Sequence, residues 1–233
     1  MGQCVYCLKV LPDRELTEDH VIARAWYPLT TPENVPKWKV PSCEGCNNAF
    51  SKPEQEMLVR FGLCLDRENP AAAGIVQKAL DSIDPNKADN EKEKTARLRM
   101  REKILGETHI VSQYPKTGVL PSFWHNWELG SRTIVEVPPE ELELLIQKWT
   151  KGLHYCIAKR YLGPNSDIDV IHLEDEAEGL LFKEINPFAS KHIKGPGVRV
   201  MTVHGTNGSE TITMYQFVMW DQYKVWTSVH ERP

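Results

Sequence analysis

Four cysteines in two Cys-x2-Cys pairs, Cys4 with Cys7 and Cys43 with Cys46, carry the first chemistry legible in this chain. A two-residue spacer folds back tightly enough for both thiolates of a pair to reach one ion, and two such pairs complete a tetrahedral zinc site. Four thiolates close the coordination sphere, so an ion held this way is structural and not catalytic. Thirty-five residues lie between the pairs. The metal would pin the ends of that insert together, which a fragment this small could not do with its core alone.

Inside the insert sits Asp19-His20, and directly after the last cysteine come Asn47 and Asn48. These types suit phosphodiester hydrolysis, which needs an activated water and a cation to neutralise the charge that develops on phosphorus and on the leaving oxygen. A carboxylate and an amide are hard oxygen ligands of the kind magnesium takes while keeping several waters. A histidine titrating near neutrality is the natural base. On a strand, however, Asp19 and His20 point to opposite faces, so they share a site only if the backbone bends or they approach the phosphate from different sides.

The order Cys-x2-Cys, Asp-His-Val-Ile, Cys-x2-Cys-Asn at the head of a helix resembles the HNH endonucleases, whose site is a ββα-metal fold. The matching residues are Cys4, Cys7, Asp19, His20, Cys43, Cys46 and Asn47, and the run from Asn47 to Glu54 is similar to a variant seen in many bacterial members. The resemblance covers about residues 4 to 60. It implies one divalent cation, magnesium or manganese, held by Asp19 and Asn47 and bridging the scissile phosphate, with His20 as general base. It also implies 5′-phosphate and 3′-hydroxyl ends. Many members carry an asparagine on the second strand, nine positions before the helix asparagine, that orients the base. Position 38 here is Trp, so that role falls to Asn34 in the loop or to a backbone carbonyl, and Trp38 reads as a packing residue or, as the alternative, one that stacks on a base.

Weaker candidates surround this set. Asn48 is the rival of Asn47 as ligand. Glu54, seven residues after Asn47, could support the metal through water, although it reads more simply as an acid in the first turn of a helix. Lys39 and Lys52 are candidate phosphate contacts, as are Lys37 and Arg24. The other seven histidines show no ligand spacing and read as structural or surface residues. The aromatic run from Phe123 to Trp127 reads as packing or as a recognition surface.

These residues must be positioned by the elements around them. The expected fold class is α+β: a small zinc-stabilised ββα unit, helices, then a separate α+β domain. The boundaries are 1–65 for the nuclease unit, 66–105 for a helical connector and 106–233 for a domain of unassigned role. Leu16 to Ile22 reads as a strand entering a turn, Ala23 to Pro36 as a loop, and Trp38 to Pro41 as an edge strand limited by its prolines. The pattern turns helical from Asn47, with Ser51 and Pro53 marking the helix N-terminus. Later helices are expected over Ala71 to Leu80, Asn90 to Leu105 and Pro139 to about Tyr161. Further strands are expected near 109–111, 132–137, 168–173, 198–204, 211–220 and 223–229, the last two joined by a turn at Asp221-Gln222.

The chain of 233 residues carries a net charge of −4, so a nucleic-acid partner must meet a local basic patch. The start lacks a signal peptide, no apolar run reaches bilayer length, and the cysteine pattern fits a reducing compartment. The expected protein is thus a cytoplasmic hydrolase that binds DNA, duplex in form, with no membrane partner. A homodimer or protein partner could form through the C-terminal region. The rival reading is a zinc-containing module that binds nucleic acid or protein without cutting.

Overall fold

A computed structural model describes residues 1–111, 119–126, 131–171 and 175–232. Of the sequence features above, Trp127 and His172 lie outside these residues. The class is α+β. In chain order the elements are β1 (Gly2–Gln3), β2 (Val10–Leu11), β3 (Leu16–His20), β4 (Lys39–Cys43), α1 (Glu44–Leu63), α2 (Ile75–Ile83), α3 (Glu91–Gly106), β5 (Thr108–Val111), β6 (Val119–Asn126), β7 (Ser131–Glu136), α4 (Pro139–Ala158), β8 (Ser166–Ile171), α5 (Asp175–Ile185), β9 (Ser190–Ile193), β10 (Val198–Asn207), β11 (Glu210–Met219) and β12 (Tyr223–Glu231).

The N-terminal part is two short hairpins and a helix. β3 and β4 pair antiparallel, with Asp19 opposite Val40 and His20 opposite Lys39, and β4 runs straight into α1. Pro41 is tolerated because this sheet has only two strands. The helix start expected at Ser51 and Pro53 is displaced: α1 begins at Glu44 with Cys43 as its N-cap, and Pro53 lies inside it. The strand end holding Cys43 therefore sets the helix entry, and an interior proline removes only one backbone donor. The carbonyl four residues back belongs to Ala49, which is exposed and can be met by water.

The C-terminal half carries a five-stranded antiparallel sheet in the order β8-β12-β11-β10-β9. Trp220 and Asp221 take left-handed conformations (φ 53° and 57°) in the turn between β11 and β12. The helix expected to reach Tyr161 stops at Ala158, where Lys159 turns left-handed (φ 59°). α5 and β9 lay outside the expected elements. A second, three-stranded sheet has the order β5-β7-β6.

One buried apolar cluster runs from Cys4 to Val229, across both expected boundaries near 65 and 106. Its centre is aromatic. Trp26 stacks on Trp220 with ring centroids 5.3 Å apart and meets Trp149 of α4 edge-on at 5.1 Å. The Trp220 indole donates to the Trp26 carbonyl (2.9 Å), and the Trp26 indole donates to the Glu54 carbonyl (3.2 Å). Such rings bring large buried area, and their N–H groups need these partners once dry. α4 is thereby held between α1 and the five-stranded sheet.

Its approach to β3 is close. A Cβ on Gly152 would lie 2.7 Å from a Val21 methyl, so only glycine fits there. Gly152→Ala is expected to push α4 off the end of β3 and cost about 1–3 kcal/mol by overpacking. Gly106→Ala, where nothing lies within 4 Å of the added carbon, should be neutral or stabilising. Urea unfolding of both variants checks this, and equal midpoints for the two would refute the close contact.

Candidate functional site

The sulfur cluster comes together as its spacing requires. Cys4 and Cys7 flank a tight turn in which the Cys4 amide donates to the Lys9 carbonyl (3.0 Å) and the Leu8 amide to the Cys4 carbonyl (2.9 Å). Leu8 adopts a left-handed φ of 63° to close it. Cys43 ends β4 and Cys46 sits in the first turn of α1. All four sulfurs lie within 4.8 Å of one another, and Cys7 Sγ is 3.8 Å from Cys43 Sγ. A tetrahedron with zinc–sulfur bonds of about 2.3 Å has edges of about 3.8 Å, so the donor set fits that ion. Burial alone would raise the Cys4 thiol, but backbone amides of Cys43, Cys7 and Tyr6 aimed at the sulfur bring it down to about 7. Burial and the neighbouring sulfurs push Cys46 up, and burial also raises Cys7.

His20 ends β3 half-buried, opposite Lys39. Burial holds its imidazole below the usual histidine range, and the charges of Lys39 and Arg24, with that of Lys37, add to the effect against the opposing pull of Asp19. Lys39 is tied to Glu18 by an exposed ion pair of 2.8 Å, which costs little to exchange for a phosphate. Lys37 lies over the Tyr27 ring (5.2 Å). Three cations thus act on the imidazole: Lys39 from the strand opposite, Lys37 from the loop before that strand and Arg24 from the turn after β3. Lys52 is exposed on α1 and is not among the charges that act on His20. Asn34 is exposed on the loop and makes no hydrogen bond to His20 among the described residues, and Trp38 is buried in the core.

Asp19 points the other way. Its side chain is 9% exposed, and its Oδ2 lies 2.9 Å from Nζ of Lys148, a residue of α4 with a fully buried side chain. The same ammonium donates to Glu54 Oε1 (2.7 Å) and to the His20 backbone carbonyl (3.0 Å). The rings of Phe50 and Tyr6 stand 5.1 and 5.8 Å from it. Burial raises the Glu54 carboxyl, with Lys148 opposing, and burial together with the Asp19 and Glu54 charges pushes the Tyr6 hydroxyl well above its ordinary value. Glu54 is therefore an interior partner of Lys148 and not a first-turn acid, because α1 starts ten residues before it. Asn47 is half-buried two turns nearer the helix start on the same face, and Asn48 is exposed.

Whether a magnesium ion fits Asp19 and Asn47 follows from these contacts. Magnesium keeps several waters and needs its carboxylate open to them. Here that carboxylate is buried and faces an ammonium, so the arrangement does not fit a hydrated divalent ion as it stands. Lys148 is not among the candidates the sequence offers, because nothing in its residue type marks a lone helical lysine as buried. Its spacing was informative: Leu145, Lys148, Trp149 and Gly152 share one helix face, and all four are buried. Comparison with protein-family models, with curated proteins and with solved structures gave no match to this chain. No helix among the described residues is long and apolar enough to cross a membrane.

Two outcomes are expected. The purified chain should hold one zinc ion per molecule, lost in Cys43→Ser. Its affinity should fall as pH drops, because ligation displaces protons from thiols, those of Cys7 and Cys46 being held above their ordinary range, and a pH series of metal analysis checks this. Lys148→Ala should cost about 3–5 kcal/mol in denaturant unfolding, since it leaves two carboxylates unpaired in the interior. A loss below about 1 kcal/mol, the worth of an exposed pair, would contradict the buried geometry.

Proposed function

We propose that the chain is an HNH-type endonuclease that hydrolyses phosphodiester bonds in DNA, with His20 as general base. The single observation that carries this reading is the half-buried imidazole set opposite Lys39 and under the charges of Arg24 and Lys37, in a chain of net charge −4. A local cluster of cations around a neutral base is what a phosphodiester anion needs in order to dock. In the proposed step His20 takes a proton from water as the water oxygen bonds to phosphorus. The bond to the 3′-oxygen breaks, that oxygen is protonated by solvent, and the cations offset the charge on the phosphoryl oxygens. Zinc at Cys4, Cys7, Cys43 and Cys46 holds β4 and α1 in place and takes no part in the step.

The engagement of Asp19 by Lys148 favours a second reading: a zinc-stabilised module that binds nucleic acid or a protein without cutting it. Plasmid cleavage by the zinc-loaded protein, with and without added magnesium or manganese, separates the two. Wild type should convert supercoiled DNA while folded His20→Ala does not. The acid limb of the rate should lie below pH 6.5, because burial and cations keep His20 neutral to lower pH than a free imidazole. Arg24→Ala and Lys37→Ala should weaken DNA binding and each reduce the salt slope by about one. Wild type inert on plasmid, single strands and RNA alike would leave only the binding module.

A further inference from the structure

Three oxygens from the N-terminal unit converge on one point: Asp19 Oδ2, Glu54 Oε1 and the His20 carbonyl, at 2.9, 2.7 and 3.0 Å from Lys148 Nζ. Two aromatic faces, Phe50 and Tyr6, close the surround. Two largely buried carboxylates and a carbonyl converging on one point have the makings of a cation cage, since hard oxygens are what hard cations take. Two buried polar atoms at this cage, Asp19 Oδ2 and the Tyr6 hydroxyl oxygen, have no aligned hydrogen-bond partner, so the contact of Oδ2 with Lys148 is ionic rather than directional.

We propose that this cage is a cation site whose resident cation is the Lys148 ammonium, carried in by α4, so that Asp19 holds no divalent ion in the folded chain. An ammonium has three donors and no acceptor, and here it meets three oxygens. It arrives on a helix whose distance from β3 is fixed by the Gly152 contact with Val21, one turn further along the same face. That helix is also locked by Trp149 between Trp26 and Phe217, at 5.1 and 5.7 Å. The cation is therefore as rigid as the core. Its bond to the His20 carbonyl fixes the strand end from behind while the imidazole faces outward. Lys148 is a positioning residue that acts on the base through the backbone. This consequence for catalysis rests on the nuclease reading, whereas occupancy of the cage does not.

Manganese binding to the zinc-loaded protein, followed by electron paramagnetic resonance, tests the occupancy without reference to activity. Wild type and Asp19→Asn should give the same signal, with no ion bound at the cage at millimolar manganese. Lys148→Ala should gain one bound manganese per chain, and Lys148→Ala with Asp19→Asn should lose it again. If Lys148→Ala does not fold, Lys148→Met, which keeps the apolar stem, carries the same comparison. Manganese bound to wild type and lost in Asp19→Asn would overturn the proposal, and this arm decides even if neither Lys148 variant folds. Folded Lys148 variants that gain no ion would also overturn it. Plasmid cleavage on the same samples reads the nuclease proposal separately, since an inert wild type with the expected manganese pattern removes the enzyme and leaves the cage.

Discussion

A lysine with a fully buried side chain can persist only where its charge is met, because the desolvation of an ammonium costs as much as a large share of the stability of a whole domain. The structure meets this constraint by drawing on three distant parts of the chain. β3 supplies a carboxylate and a carbonyl, α1 supplies a second carboxylate ten residues beyond its start, and α4 supplies the ammonium. None of these elements can shift by the length of a hydrogen bond without stranding a charge. The apolar packing around Trp26, Trp149 and Trp220 brings the elements together, but hydrophobic contact is non-directional and would tolerate a slide. The ion cage removes that tolerance.

The cysteine cluster works at the opposite end of the same unit. It ties the first turn of the chain to the junction of β4 and α1, so one group of four sulfurs sets where the helix starts. β3 and β4 are five residues each and pair only with each other, too little to persist in water alone. Between the sulfur cluster and the ammonium, the strand that ends in His20 is held at both ends. Its outward face is then free to carry the imidazole among Arg24, Lys37 and Lys39.

How much of this was legible in the sequence divides along physical lines. The cysteine spacing, the strands on either side of the loop and the helices with clear periodicity were readable because each depends on neighbours within a turn or two. The α1 start was misread because Pro53 and its flanking acids are a local helix-start signal, and a strand ending at Cys43 overrode it. The role of Glu54 went with it. Lys148 was invisible to composition, since a lone lysine in a helix is nearly always solvated, and only its place beside Leu145, Trp149 and Gly152 argued otherwise. The opposed directions of Asp19 and His20 did follow from strand geometry alone. What Asp19 faces could not, because Lys148 lies more than a hundred residues away.

That distance has a consequence for how the protein is made. His20 and Lys148 are separated by 128 positions, and a ribosome adding roughly 5–20 residues per second takes on the order of ten seconds to cover them. From Leu63 to Lys148, the larger part of that interval, the two Cys-x2-Cys pairs, Asp19, Glu54 and the whole of α1 are already synthesised, while the ammonium that neutralises the two acids does not yet exist. The nascent N-terminal unit must keep its carboxylates hydrated or protonated and its aromatic face uncovered. It can acquire metal at its sulfurs early, yet it can close around its charges only when the second half of the chain arrives.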